Sequence, residues 1–183
     1  VRLDTIYRDA ADNPPSLLED TLNILIAPSW GTQGLLETGA EALIGNLLAA
    51  GHRVMVRPHG ETVSRAANRL RALVKEFGGN ANFLMVMEGS TNQLLFDAHL
   101  LISDWSGSAF SFAFGVERPV LFIDVPKKVN NPYYTKFTTE PVEIKLRGQL
   151  GAVLPPGDYD KAADVAMGLC ADLQAYAAKI REL

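Results

Sequence analysis

Short runs of branched apolar residues alternate with longer stretches of helical periodicity along this chain. "NILIAP" (Asn23–Pro28) is a compact apolar run ended by proline, the pattern of a buried strand. In "LLETGAEALIGNLLAAG", Leu36, Ala40, Leu43, Ile44, Leu47 and Leu48 recur at helical spacing and Gly51 can close the helix. "HRVMVRPHG" reads as a second strand. From Thr62 to Phe77, Val63, Ala66, Ala67, Leu70, Leu73, Val74 and Phe77 share one face, Arg and Lys cover the other, and Gly78-Gly79 stops the helix. "NFLMVM" is a third strand and "TNQLLFDA" about two helical turns. "HLLIS" is a fourth strand, "GSAFSFAFG" a helix and "PVLFID" a fifth strand. "KKVNNPYYTKF" reads as a polar loop, "PVEI" as a sixth strand, and Asp158 to Leu183 as a final helix with Val165, Leu169, Leu173, Tyr176 and Ile180 inward.

Strands alternating with helices of this length imply a parallel sheet covered on both faces, with right-handed crossovers. The expected fold is α/β: a doubly wound, Rossmann-like parallel sheet of strand order 3-2-1-4-5-6. The polar opening, residues 1–22 with Pro14-Pro15, reads as a linker or edge segment. Residues 23–183 then form a single Rossmann-like nucleotide-binding domain.

Composition narrows the class. The chain has 183 residues, 48% of them hydrophobic and 21% charged, with a formal net charge of −4. That suits a globular α/β domain and argues against a general nucleic-acid surface. The single cysteine, Cys170, falls in an apolar helical pattern, so no intrachain disulfide framework is possible and a buried thiol in a reducing, cytoplasmic setting is expected. No run reaches the roughly 18–20 apolar residues of a membrane span, and the start carries no signal-peptide pattern. The sequence has no CxxC, HExxH or EF-hand spacing and no GxSxG elbow, so neither a metal nor another cofactor is expected.

In a doubly wound sheet, ligands bind beyond the carboxyl ends of the strands, near the switch between the first and fourth. The stretches there are "SWGTQG", "RPHGET", "EGST", "SDWSGS" and "DVPKK". In "SDWSGS", Ser106, Gly107 and Ser108 would open a helix whose amides suit a phosphate. Asp104 could hold a ribose hydroxyl, or it and Ser106 could simply cap the helix. Gly31 and Gly34, with Thr32 and Gln33 between them, form a glycine turn that could meet a phosphate or acceptor. Trp30 could stack on a ligand or pack against the core. His59 could bind a pyrophosphate and exchange protons, or cap the next helix. Arg57 could pair with a phosphate or with an internal carboxylate. Ser90 or Thr91 would cap the following short helix, and backbone near Glu88 could meet a nucleobase. Lys127-Lys128 reads as a solvated pair able to assist an anionic group. His52 and His99 precede strands at the opposite end and are expected on the surface.

The quoted stretches together resemble one family, the CDP-glycerol glycerophosphotransferases that build teichoic-acid-like polymers. "RLD" near the start is similar to that family's G-x-x-R-x-D segment, "ILIAPSWG" to I-L-Y-A-P-T-W, and "RPHG" to R-x-H-P with Gly60 in place of proline. "LLISDWSGSAFSFAFGVERPVLF" resembles L-I-T-D-Y-S-S-x-x-F-D-Y-x-x-x-x-R-P-I-x-F, the most specific of these matches. The resemblance covers most of the chain. It implies the C-terminal, donor-binding half of a two-domain transferase of the GT-B type, with the acceptor half missing. It implies a CDP- or UDP-linked donor and a parent chain peripheral to the inner face of the cell membrane. It also implies that His59, Ser106, Gly107 and Ser108 contact phosphates, with Asp104 ordering their loop and Ser90 and Thr91 near the donor. Ser111 stands where the family has an acidic residue suited to a ribose or glycerol hydroxyl, which opens a glycosyl donor as an alternative. A non-catalytic nucleotide- or partner-binding module and a nucleotide-sugar epimerase-like enzyme are the competing readings.

Overall fold

The computed structural model describes residues 3–16, 20–87, 91–127 and 141–183. In chain order the elements are α1 (Leu3–Asp12), β1 (Asn23–Ile26), α2 (Leu35–Thr38), α3 (Ala40–Ala49), β2 (Arg53–Val56), α4 (Gly60–Arg65), α5 (Ala67–Phe77) and β3 (Phe83–Met85). They continue with α6 (Thr91–Asp97), β4 (Leu100–Ser103), α7 (Ser108–Val116), β5 (Val120–Ile123), α8 (Val142–Leu146), β6 (Gly151–Leu154), α9 (Ala162–Cys170) and α10 (Leu173–Arg181). The strands form one six-stranded sheet in the order β3-β2-β1-β4-β5-β6. Every pairing is parallel. This is the doubly wound, Rossmann-like arrangement expected from the sequence.

The period-2 alternation of a strand sorts its side chains between two cores. Ile24 and Ile26 of β1 join Val54, Val56, Ile102, Leu121 and Ile123 beneath α3, α5 and α9. Leu25 and Ala27 turn the other way, with Leu101, Val120 and Phe122, beneath α6 and α7. All residues of β4 and β5 are buried, as a sheet covered on both faces requires. Phe112 of α7 is fully buried, which contributes about 2–3 kcal/mol relative to leaving it in water.

Arg118, between α7 and β5, is 1% exposed and fastens three segments. Its Nη1 donates to the Phe96 and Ala98 carbonyls at 2.6 and 2.7 Å, and its Nη2 to the Ala10 carbonyl at 2.6 Å. The Arg-Pro pair before the fifth strand is therefore a structural clamp.

Several local expectations are corrected. The opening stretch, expected as a linker or edge segment, carries α1, which packs against α7 and sets Tyr7 edge-on to Phe96 with ring centroids 5.4 Å apart. "PVEI" is not the sixth strand. Pro141 caps α8 there, and β6 is the later run Gly151–Leu154. Gly151 is required at that strand's start, because a Cβ would fall on the Val120 carbonyl. The helix expected from Thr62 to Phe77 breaks at Ala66, and its Val74 is exposed. The final helix breaks before Asp172, whose Oδ1 accepts the Ala175 amide at 2.9 Å and starts α10 anew. His52 and His99 sit at the amino ends of strands as expected but are buried, 3% and 1% exposed. Their Nδ1 atoms accept the amides that lead into β1, from Leu22 at 3.4 Å and Asn23 at 2.8 Å. Cys170 is buried, as expected. Most of the polar loop after Lys127 lies outside the described residues. Among the described residues, no helix is long and apolar enough to cross a membrane.

Candidate functional site

The carboxyl ends of β1 and β4 lie side by side at the switch in strand order, and the site is built from the loops that leave them. Ser103, the last residue of β4, is fully buried and donates its hydroxyl to the Ala27 carbonyl at 2.7 Å. Asp104 comes next, 2% exposed. Its Oδ1 accepts the Ser29 amide at 2.6 Å and its Oδ2 the Leu35 amide at 3.1 Å. Asp104 therefore caps α2, across the sheet, rather than its own helix α7, and it holds the loop after β1 against the loop after β4.

Past Asp104 the chain turns into α7. Gly107 precedes the helix, with φ −61° and ψ −21° and no side chain to cap it. The Ser106 and Ser108 hydroxyls lie 2.7 Å apart, Ser106 Oγ accepts the Ser108 amide at 3.3 Å, and Ser108 Oγ donates to the Ala27 carbonyl at 3.4 Å. The two serines thus partly satisfy each other. Among the described residues, the Ser106 and Gly107 amides donate to no protein group. Unspent amides before a nine-residue helix carry the positive end of its dipole, an arrangement suited to an anion.

These residues line a cleft of about 470 Å³ together with His59 and Arg57. Arg57 extends β2, its amide donating to the Ile26 carbonyl at 2.9 Å, and its half-buried guanidinium is held below its usual pKa by lost hydration. His59 Nδ1 accepts the Glu61 amide at 3.1 Å and so caps α4. In the neutral ring that bond leaves the hydrogen on Nε2, a donor available to a ligand. The capping and ligand-binding readings of His59 are therefore compatible, since they use different nitrogens. Gly60 opens α4 in the place of the proline of the similar motif, and nothing lies within 4 Å of where its Cβ would be.

The glycine turn falls elsewhere. Gly31 has φ +144°, a conformation L-residues avoid, and its carbonyl accepts the Gly34 amide at 3.0 Å. Gly31 and Thr32 line a second cleft, of about 540 Å³, with Trp30, Trp105 and Lys127. Trp30 of this cleft and His59 of the first are neighbours, their ring centroids 6.4 Å apart. Trp105 is fixed rather than loose: its Nε1 donates to the Val125 carbonyl at 2.8 Å, and the Arg147 guanidinium stacks on its ring at 4.0 Å. The sequence thus pointed to one composite site, and the chain folds it as two adjoining clefts. Ser90 and Glu88 lie outside the described residues; Thr91 begins α6. Glu37 and Thr62 of the second cleft were not signalled by the sequence, because both read as ordinary helix positions. Among the described residues, no group of three or more His, Cys, Asp or Glu is placed to hold a metal ion.

No family model matches the chain. No curated protein matches it. Solved structures do. The wall teichoic acid polymerase TagF is similar over 99% of this chain and 44% of its own, with TM-score 0.56 and 19% identity. A variant of TagF soaked with CDPG is similar over 98% of this chain and 38% of its own, with TM-score 0.50 and 21% identity. The C-terminal CMP-Kdo binding domain of WaaA from Acinetobacter baumannii is similar over 98% of this chain and 96% of its own, with TM-score 0.55 and 13% identity. The chain spans less than half of TagF and nearly the whole of the WaaA domain. At these identities the likeness shows the fold alone: a doubly wound, Rossmann-like α/β sheet.

Proposed function

We propose that this chain is the donor-nucleotide-binding half of a transferase that moves a glycerophosphate or a sugar from a nucleoside diphosphate to a cell-surface polymer or lipid-linked acceptor. The observation that carries the reading is the convergence, in one cleft at the strand-order switch, of the unspent Ser106 and Gly107 amides with His59 and Arg57. The neighbours add support: one carries CMP-Kdo binding in its description and another was soaked with CDPG.

In this reading a diphosphate lies along the start of α7. The Gly107 and Ser106 amides and His59 Nε2–H donate to its oxygens, and Arg57 balances its charge. As the bond to the transferred group breaks, negative charge grows on the leaving phosphate, and donors already aimed there stabilise it without reorganisation. Asp104 keeps those donors in place by tying both loops. The acceptor side and the base come from a second half of the parent chain, which docks at the inner face of the membrane. Calorimetric titration of the chain with CDP, UDP and GDP tests the reading. Saturable binding of at least one, weakened by His59→Ala, is expected; no binding of any of them at millimolar concentration overturns it.

A further inference from the structure

The turn that leads from β4 into α7 is anchored at two consecutive residues, in two directions. Asp104 ties it to the loop after β1. Trp105 ties it to the chain after β5, its Nε1 donating to the Val125 carbonyl at 2.8 Å. The Trp105 ring is in turn gripped by Arg147, the residue after α8, whose Cζ lies 4.0 Å from the ring centroid. Arg147 is 5% exposed and lines neither cleft. Its Nη1 donates to Asp124 Oδ1 at 2.7 Å and its Nη2 to the Ile123 carbonyl at 3.3 Å, so the guanidinium is fixed to the end of β5. It also lies 5.0 Å from the centroid of Phe122, a ring that packs at 6.2 Å against Phe110 in the first turn of α7. One side chain thus touches the turn directly and the start of the helix through one further ring.

The Ser106 and Gly107 amides come immediately after Trp105 and donate to no protein group among the described residues. Amides with no bond of their own take their direction from the residues around them. A flat guanidinium held over indole away from water grips the ring firmly, and an ammonium, a point charge on a flexible stem, does not reproduce that grip. We propose that Arg147 is a positioning residue for the anion seat: it holds Trp105 still, and through Trp105 the two amides, without touching the ligand. The inference rests on the nucleotide reading of the first cleft and adds to it a residue from outside that cleft. Donors held in place before a ligand arrives spare the cost of ordering them on binding, so loosening Trp105 weakens nucleotide binding by the folded chain.

Calorimetric titration with CDP, UDP and GDP, on variants shown by melting curves to be folded at the titration temperature, tests it. Arg147→Met keeps a long stem and loses the flat cation; it should bind the nucleotide preferred by the parent chain about fivefold more weakly. Arg147→Lys keeps the charge and should recover only part of that loss. Trp105→Phe keeps a ring and loses the bond to Val125; it should weaken binding similarly, and it carries the test if Arg147→Met does not fold. The second readout is a cycle with Gly107→Pro, which removes one of the two amide hydrogens. In that background Arg147→Met should weaken binding about twofold or less, because part of what it positions is gone. An Arg147 that only stabilised the fold would lower the Tm and leave the affinity of the folded chain alone. Affinity within about twofold of the parent in both Arg147→Met and Trp105→Phe overturns the inference. So does full recovery by Arg147→Lys, which would show a charge acting at a distance, and so does an equal loss with and without Gly107→Pro. A parent chain that binds none of the three nucleotides overturns the nucleotide reading itself, and this inference with it.

Discussion

Asp104 and Ser29 are 75 residues apart in sequence, and the carboxylate of one accepts the amide of the other at 2.6 Å. With the bond to the Leu35 amide, this makes one side chain the join between the loops after β1 and β4. Asp104→Asn keeps the shape but turns an NH2 towards one of those amides. Hydrogen bonds to a charged group are worth about 1.5–3 kcal/mol, so a loss of about 2 kcal/mol is expected. For a chain of this size that lowers Tm by roughly 4–8 °C. Thermal unfolding followed by circular dichroism checks it, and an unchanged Tm would show that the two loops hold themselves.

Arg118 should be among the most sensitive positions. Burial lowers its pKa to about 10, so it remains a cation at neutral pH, held by main-chain carbonyls rather than by a carboxylate. Arg118→Leu strands those carbonyls without donors, and each orphan costs about 1–3 kcal/mol. A loss of at least about 3 kcal/mol is expected in urea unfolding, with Arg118→Lys recovering only part because a single ammonium cannot span the acceptors.

His52 and His99 predict an acid-side loss of stability. Burial lowers both from the ordinary value of 6.5, and protonating Nδ1 would also remove the acceptor for the Leu22 and Asn23 amides. Below pH 6.5 the unfolded chain binds protons that the folded chain refuses, so stability rises with pH. The contribution is fully present above 6.5 and is lost as pH falls from there towards the lowered folded values. In His52→Asn/His99→Asn, amide oxygens can replace the ring acceptors. Its Tm should therefore depend less on pH between about 7 and 5 than that of the parent chain.

Five strands were legible from sequence, β4 and β5 most plainly because every residue in them is buried. The sixth strand was not legible. Gly151–Leu154 is a half-exposed edge, while "PVEI" has the same branched character and becomes helical after Pro141. Helix breaks were hidden for a different reason. A Cβ at Gly39 would run into the Tyr159 ring, a contact between residues far apart in sequence, and the break between α2 and α3 falls there. In the same way the positions of His52 and His99 could be read but not their burial, which depends on amides 30 and 76 residues away. The glycines and serines at the strand ends were visible as candidate chemistry; that Gly31 and Thr32 line one cleft and Ser106 to Ser108 another is visible only in the fold.

The most direct test of the donor-binding account uses Gly107. Its φ of −61° already suits proline, and nothing lies within 4 Å of where its Cβ would be, so Gly107→Pro removes one N–H at the start of α7 with little other change. Gly107→Ala is the control that keeps the N–H. Calorimetric titration with CDP and UDP, after melting curves show both variants folded, should find binding near the parent value in Gly107→Ala. In Gly107→Pro it should be about tenfold weaker, the loss of one charge-assisted hydrogen bond. Equal nucleotide affinity in the parent, alanine and proline forms would contradict the claim that this amide seats the diphosphate.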